Sequence, residues 1–306
     1  MAPELLATPP VQCDVNTLIA TPAELAAGTT VPARHRRRRD PRLYQIAALA
    51  GLLGYGVLGL SLDVDPVIAV VVLAGVLVTQ LAGAHLTGGR VDPRSALISG
   101  LSLCLLLRTG SPALAAATAV LAIASKFVLR CRGKHVFNPT NLALVAMMLL
   151  TGQVWVSPGQ WGNTAVFAFL LAAAGGLVVN RAARADVTWT FLAAHTALLI
   201  GRTLWLGDPL EIPVHRLANG ALVLFAFFMI SDPRTTPDSR AGRILFAVLV
   251  AVGAHVIQFR LFHTNPLLWS LAICSLMVPL IDRLLPGRRY DWAAPAPGRA
   301  RERSSP

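Results

Sequence analysis

Two Asn-Pro pairs stand at the heads of apolar runs, Asn138-Pro139 in KHVFNPTNLAL and Asn265-Pro266 in FHTNPLLWSLA. Proline lacks an amide donor and suits the first turn of a helix, and the asparagine before it can accept from the amides that turn leaves open. Each pair therefore predicts a helix start whose positive end is available to an anion or to the polarised edge of a cofactor. Ser99-Gly100 and Asn219-Gly220 open two further short apolar runs. Side chains able to hold a ligand lie around these pairs. Lys126 stands within an apolar run, one helical turn before Arg130 and on the same face. Isolated in lipid such a charge costs roughly 3 kcal/mol, so it faces the interior, a partner or an anionic ligand, unless the run ends sooner and the lysine reaches the headgroups. Lys134 and Thr140 flank Asn138, and Arg234, Thr235 and Thr236 follow a later run in SDPRTTPDSRAGR. There the guanidinium and hydroxyl groups suit a phosphate, or the arginines only anchor a helix end among headgroups. The candidate cofactor-binding set is thus Lys126, Arg130, Lys134, Asn138, Thr140, Asn219, Arg234, Thr235, Thr236 and Asn265. No catalytic residue and no metal ligand is assigned: the four cysteines lie far apart, and His85, His195 and His255 show no paired ligand spacing.

The elements that must position these groups are apolar. Of the 306 residues 55% are hydrophobic and only 14% charged, and the mean hydropathy is +0.60. A soluble domain carries roughly a quarter charged residues, so the composition points to a chain dissolved in a lipid bilayer. The net charge of +12 does not form a folded basic domain but punctuates apolar segments. The run RHRRRRDPR suits a headgroup anchor before the first segment, and no nucleic-acid partner is expected.

Ten apolar runs succeed one another, the sixth at 164–180, the eighth at 217–230 and the tenth at 267–281. Read as ten spans with an inner N-terminus, they place 22 arginines and lysines on the inner side and only Arg108, Arg202, Arg216 and Arg260 on the outer. That bias is the one the positive-inside rule predicts. The two Asn-Pro runs then start from opposite sides. The expectation is an all-α polytopic membrane protein of about ten transmembrane helices in two inverted five-helix repeats, with both termini cytoplasmic. Its parts are a disordered basic tail over 1–42, a first repeat over 43–162, a second over 163–285 and a cytoplasmic tail over 286–306.

Three stretches carry a family likeness: SGLSLCLLLR (99–108), GKHVFNPTNLAL (133–144), and FAFFMISDPRTTP (225–237) followed by Gly242-Arg243. With them the chain, from about Asp40 to Leu285, resembles the NqrB/RnfD family, the membrane subunits of the sodium-translocating NADH:quinone reductase and of the ferredoxin:NAD electron transport complex. The resemblance implies an inverted-repeat bundle, FMN bound in its interior, and electron transport coupled to cation movement. Family members carry a flavin phosphate esterified to threonine in a Ser-Gly-Ala-Thr motif. That motif is absent; the stretch 151–164 offers Thr151, Ser157 and Thr164 without it, so FMN or another flavin is expected to be held non-covalently. The chain shows no domain for a pyridine nucleotide or an iron–sulfur cluster, so redox or membrane partner subunits are expected to complete an electron path. Shorter relatives of this kind include proteins associated with enediyne biosynthesis. The alternative is a stand-alone membrane transporter or channel linked to that type of secondary metabolism.

Overall fold

The structure, a computed structural model, describes residues 40–59, 62–89, 91–156 and 184–290. The basic tail before residue 40, the sixth apolar run at 164–180, Ser157 and Thr164, and the tail beyond residue 290 lie outside the described residues.

Proline sets where most helices begin. It stands at the first position of α1 (Pro41–Gly59), α2 (Pro66–Thr87), α3 (Pro93–Leu106), α4 (Pro112–Val128), α5 (Pro139–Thr151) and, later in the chain, α10 (Pro266–Ser275). Asp65 caps α2 by accepting from Val67 and Ile68, Asp92 caps α3 through Ser95, Ser111 caps α4 through Leu114, and Asn138 caps α5 through Asn141. The proline has no amide to leave unpaired and the cap satisfies one further along, so each start is fixed locally. The later part adds α6 (Ala185–Leu206), α7 (Glu211–Leu217), α8 (Gly220–Leu224), a π-helical turn (Phe225–Met229), α9 (Arg240–Phe259) and α11 (Val278–Leu284).

Helix α2 packs on α3 and α4, and α9 packs on α6 and α10. The helices opened by the two Asn-Pro pairs, α5 and α10, touch each other, and Asn141 Nδ2 donates to the Leu268 carbonyl at 3.1 Å across that contact. Close packing relies on Gly100, where a Cβ would come within 2.8 Å of Val76 on the facing helix. The core holds Leu103, Leu105, Ile123, Leu144, Phe191, Phe225 and Phe246. Outward faces are apolar too: on α2 the exposed Val67, Val70, Val78 and Leu81 alternate with the buried Ile68, Val72 and Val76. A helix apolar on every side is one whose outer face meets lipid.

Ten transmembrane helices in two five-helix repeats is not what the structure holds. Among the described residues two helices, α2 and α9, are long and apolar enough to cross a membrane, and at most four spans result if each of two bent pairs counts as one. Helices α3, α4 and α5 have 14, 17 and 13 residues, or about 21, 26 and 20 Å, short of a hydrocarbon core of about 30 Å. Helices α1 and α6 have the length but not the hydropathy. The eighth and tenth apolar runs are broken, α7 against α8 with its π turn and α10 against α11, each bent by 50°. An unbroken apolar run in the sequence does not report where Ala218-Asn219 or Leu276-Met277 interrupts the helix. Nor is the chain purely helical. Leu107–Arg108 pairs antiparallel with Trp155–Val156, and Arg130–Cys131 with Lys134–His135.

Candidate functional site

Ion pairs draw one set of loops together. Arg42 bonds Asp40 and Asp92, and Arg94 bonds Asp40 at 2.9 Å. Lys134 Nζ lies 2.9 Å from Asp238 and 2.7 Å from Asp282. Arg243 Nε donates to Asp186 at 2.8 Å, and Arg289 donates to the Arg132 carbonyl at 2.7 Å. These are the loops that the charge bias assigned to the inner side.

A cavity of about 350 Å³ opens among them, lined by polar groups from α2, α3, α4, the 130–135 hairpin, the start of α5 and the loop after the π turn. Five candidate residues meet there: Lys126, Arg130, Asn138, Thr140 and Arg234. Lys126 is 6% exposed and donates to the Ser95 carbonyl at 2.8 Å and to Ser95 Oγ at 3.1 Å. It sits in the last turn of α4, two residues before the helix ends, not in the middle of a span. Arg130 lies beyond that helix, in the hairpin, yet its Nε donates to the Lys126 carbonyl and its guanidinium lies over the Phe127 ring, 5.6 Å from the centroid. Asn138 works in two directions: its Oδ1 accepts from Asn141 N at 3.1 Å and its Nδ2 donates to the Met229 carbonyl at 3.3 Å, joining the start of α5 to the π turn. Thr140 Oγ donates to the Ser99 carbonyl at 3.5 Å.

The other candidates lie elsewhere. Lys134 is held between Asp238 and Asp282 and does not line the cavity. The hydroxyls of Thr235 and Thr236 both donate to the Asp232 carbonyl, at 3.3 and 3.1 Å, so they close the turn that begins at Asp232-Pro233. Asn219 and Asn265 line a second, apolar cavity of about 240 Å³ with His195 and Phe225. Asn219 caps α8 by accepting from Ala221 N at 2.8 Å. Asn265 makes no side-chain cap; it sits in the left-handed region at φ 55° and its Nδ2 points to the Met148 sulfur at 3.8 Å. The two Asn-Pro pairs therefore open helices by different means.

Sequence reasoning missed Ser95, Gln80, Asp92 and His135, which also line the larger cavity. Gln80 was legible in principle as a polar residue inside a long apolar run. His135 Nδ1 is buried without a partner. Burial pushes the His135 imidazole down to about 3, and the Arg130, Arg234 and Lys126 charges push the same way. Burial pushes the Asp232 carboxyl up, against the Arg234 amide it accepts from and the Lys126 charge. Among the described residues no group of three or more His, Cys, Asp or Glu side chains could hold a metal ion.

The histidine shift gives a pH dependence. An unfolded imidazole titrates near 6.5, so below that value the unfolded chain binds a proton that the folded one refuses. The stability tied to His135 is complete above about pH 6.5 and falls as the pH drops towards 3, by up to about 1.4 kcal/mol per unit for one proton. His135→Gln is expected to flatten the profile of melting temperature against pH between about 6.5 and 4. Parallel profiles for the variant and the parent would count against a neutral, buried His135.

Residues 149–291 match the NQR2, RnfD, RnfE family. The chain is also similar to the D subunit of the ion-translocating oxidoreductase complex of Alcanivorax borkumensis, 32% identical over 155 residues that cover 49% of this chain and 43% of that one. The corresponding protein of Stutzerimonas stutzeri is 32% identical over 149 residues, covering 46% and 40%. That of Cronobacter sakazakii is 29% identical over 162 residues, covering 52% and 44%. The chain spans less than half the length of these relatives. The family read from FAFFMISDPRTTP is borne out, and that stretch lies inside the matched residues; SGLSLCLLLR and GKHVFNPTNLAL precede them.

Proposed function

From its place, through residues 149–291, among relatives of the NQR2, RnfD, RnfE family, we propose that the chain is an integral membrane subunit of an electron-transport system coupled to cation movement, acting with partner subunits. The single observation that carries this reading is the family match, which includes Asp232 and Arg234, two residues that line the larger cavity. Both termini are on the cytoplasmic side in this reading. Support for that comes from the arginine-rich loops, which ion pairs gather at one end of the molecule.

The larger cavity is the place where a non-covalent flavin would be held. Its volume of about 350 Å³ falls in the range of small-molecule sites, roughly 300 to 1,000 Å³. Phe127 and Phe228 offer ring contacts, Asn138 and Ser99 line the wall with polar groups, and the unpartnered His135 Nδ1 offers an acceptor that the fold leaves unused. When bound, a flavin supplies the electron exchange that no side chain of this chain can. The residues contribute position: Lys126 is fixed by Ser95, and Asn138 fixes the cavity wall to the π turn.

Protein purified in detergent without added cofactor is expected to show an absorbance band near 450 nm that dithionite bleaches, with the flavin recovered in the supernatant after acid denaturation. Protein free of flavin that remains unable to bind it when supplied, while taking up a solute in proteoliposomes, would overturn this reading in favour of a transporter.

A further inference from the structure

Far from the ion-paired loops, a second group of arginines gathers at one aromatic ring. Arg243 bonds Asp186, which ties the first turn of α9 to the first turn of α6, and the two helices pack on each other. Each then runs on for about 24 Å before Arg202 on α6 meets Phe259 on α9. The Arg202 guanidinium lies 4.2 Å from the centroid of that ring, and Arg216, in the last turn of α7, lies 5.1 Å from the same centroid. Arg260 follows Phe259 directly. Three of the four arginines that the charge bias left on the outer side therefore come together.

Their charge is not balanced. Asp208 lies 3.5 Å from Arg202, but among the described residues neither Arg216 nor Arg260 is in an ion pair. Each guanidinium gains from the face of the Phe259 ring, yet the two repel one another, so an anion that bridges them is favoured. The surface around the charges is apolar, with Trp205 80% and Phe262 83% exposed and Leu206, Leu210 and Leu261 beside them in the chain exposed as well. Tryptophan and arginine together at helix ends belong at the headgroup level of a bilayer. Arg216 also lines the smaller cavity of about 240 Å³, whose wall is built from Leu106, Leu199, Leu222, Leu267 and Leu268. Of the polar groups there, Asn219 is taken up in capping α8 and the Asn265 amide points to Met148. One arginine thus belongs both to the charged cluster and to a hydrocarbon-lined hollow.

We propose that this face binds an anionic phospholipid of the leaflet opposite the ion-paired loops, its phosphate held by Arg202, Arg216 and Arg260 and part of an acyl chain laid in the cavity beside Arg216. Planar guanidinium groups pair with phosphate oxygens, and basic pockets between membrane helices hold anionic headgroups. A soluble anion matches the charge but leaves the leucine-lined hollow and the exposed rings without a partner. A choline headgroup matches the hydrocarbon but brings a further cation among three arginines. The site shares no residue with the larger cavity and is independent of what that cavity holds.

The test uses the full chain in nanodiscs of mixed phosphatidylcholine and phosphatidylglycerol, with the lipids kept on transfer to detergent counted by native mass spectrometry. Phosphatidylglycerol is expected to be retained at least about tenfold over phosphatidylcholine. Arg216→Gln with Arg260→Gln, both exposed, is expected to bring that preference to within about twofold, since the arginine that remains is the one beside Asp208. Arg216→Lys with Arg260→Lys keeps the charge and is expected to keep most of the preference. Arg283→Gln with Arg288→Gln, exposed among the ion-paired loops, is expected to leave it unchanged. Melting temperatures in phosphatidylcholine alone report folding; if the glutamine pair lowers them, Arg260→Gln alone carries the test, with about a threefold loss expected. Equal retention of the two lipids overturns the proposal, as does a preference lost with Arg283 and Arg288 but kept without Arg216 and Arg260. Displacement by glycerol phosphate as effective as by short-chain phosphatidylglycerol also overturns it, in favour of a soluble anion.

Discussion

Lys134→Met is expected to lower the stability of the folded protein by about 3 kcal/mol, seen as a drop in melting temperature of about 6–10 °C in detergent. The side chain of Lys134 is 10% exposed and its ammonium group separates Asp238 from Asp282, which are 15% and 18% exposed. Removing the cation leaves two carboxylates facing one another in a setting that water barely reaches. Loss of one partner from a fully buried pair costs about 3–5 kcal/mol, and the residual exposure here puts the effect at the lower end. The same lysine ties three parts of the chain, the 130–135 hairpin, the loop before α9, and α11. The triple variant Lys134→Met, Asp238→Asn, Asp282→Asn is expected to recover most of the loss, because it removes the repelling charges along with the attracting one. A triple variant no more stable than Lys134→Met alone would sink the electrostatic explanation.

Gly287→Ala is expected to cost about 2–3 kcal/mol, the upper end for overpacking. A Cβ at Gly287 would lie 2.5 Å from Ser239 N, 2.6 Å from the Asp238 carbonyl carbon and 2.7 Å from Ser239 Cα. All three are backbone atoms, so no rotamer change can make room and the loop itself must move. That loop is doubly committed: Asp238 N donates to Asp282 at 2.8 Å, and Ser239 caps α9 through Gly242 N at 3.0 Å. Gly54→Ala serves as the control, since a Cβ there meets nothing within 4 Å and the residue lies inside α1. It is expected to leave the melting temperature unchanged or raise it, because alanine is the better helix former by about 1 kcal/mol. A Gly287→Ala protein as stable as the parent would show that the C-terminal segment does not rest on this loop.

Local chemistry was the legible part. Proline at a helix start preceded by Asp, Ser or Asn announces its boundary in the sequence, and Asp65, Asp92, Ser111 and Asn138 cap as their types predict. Asn265 does not, because its backbone is left-handed and its amide is turned towards Met148, a conformation set by the chain before it. Hydropathy locates apolar runs but not their interruptions, so a count of ten spans exceeds the two, or up to four, that the described residues supply. Of the site, Lys126, Arg130, Asn138, Thr140 and Arg234 converge, because each stands near a helix end at the same end of the molecule. Thr235 and Thr236 suited a ligand by type, but a hydroxyl a few residues past an open carbonyl turns back to it, and both bond Asp232. Partners distant in sequence, such as Ser95 for Lys126 and Asp282 for Lys134, could be read only from the fold.

The wide turn at Phe225–Met229 fixes the rotational phase of the residues after it. Ile230 N bonds back to Phe225 rather than to Ala226, so the coil holds one residue more than an ordinary one, and donors from outside, Thr188 to Ala226 and Asn138 to Met229, occupy carbonyls at this turn. Each residue in an α-helix advances by about 100°. Deleting any one residue of this turn would let the coil tighten and swing Asp232 and Arg234 by about that angle, away from the cavity mouth. The length of this segment is therefore constrained along with its five buried side chains.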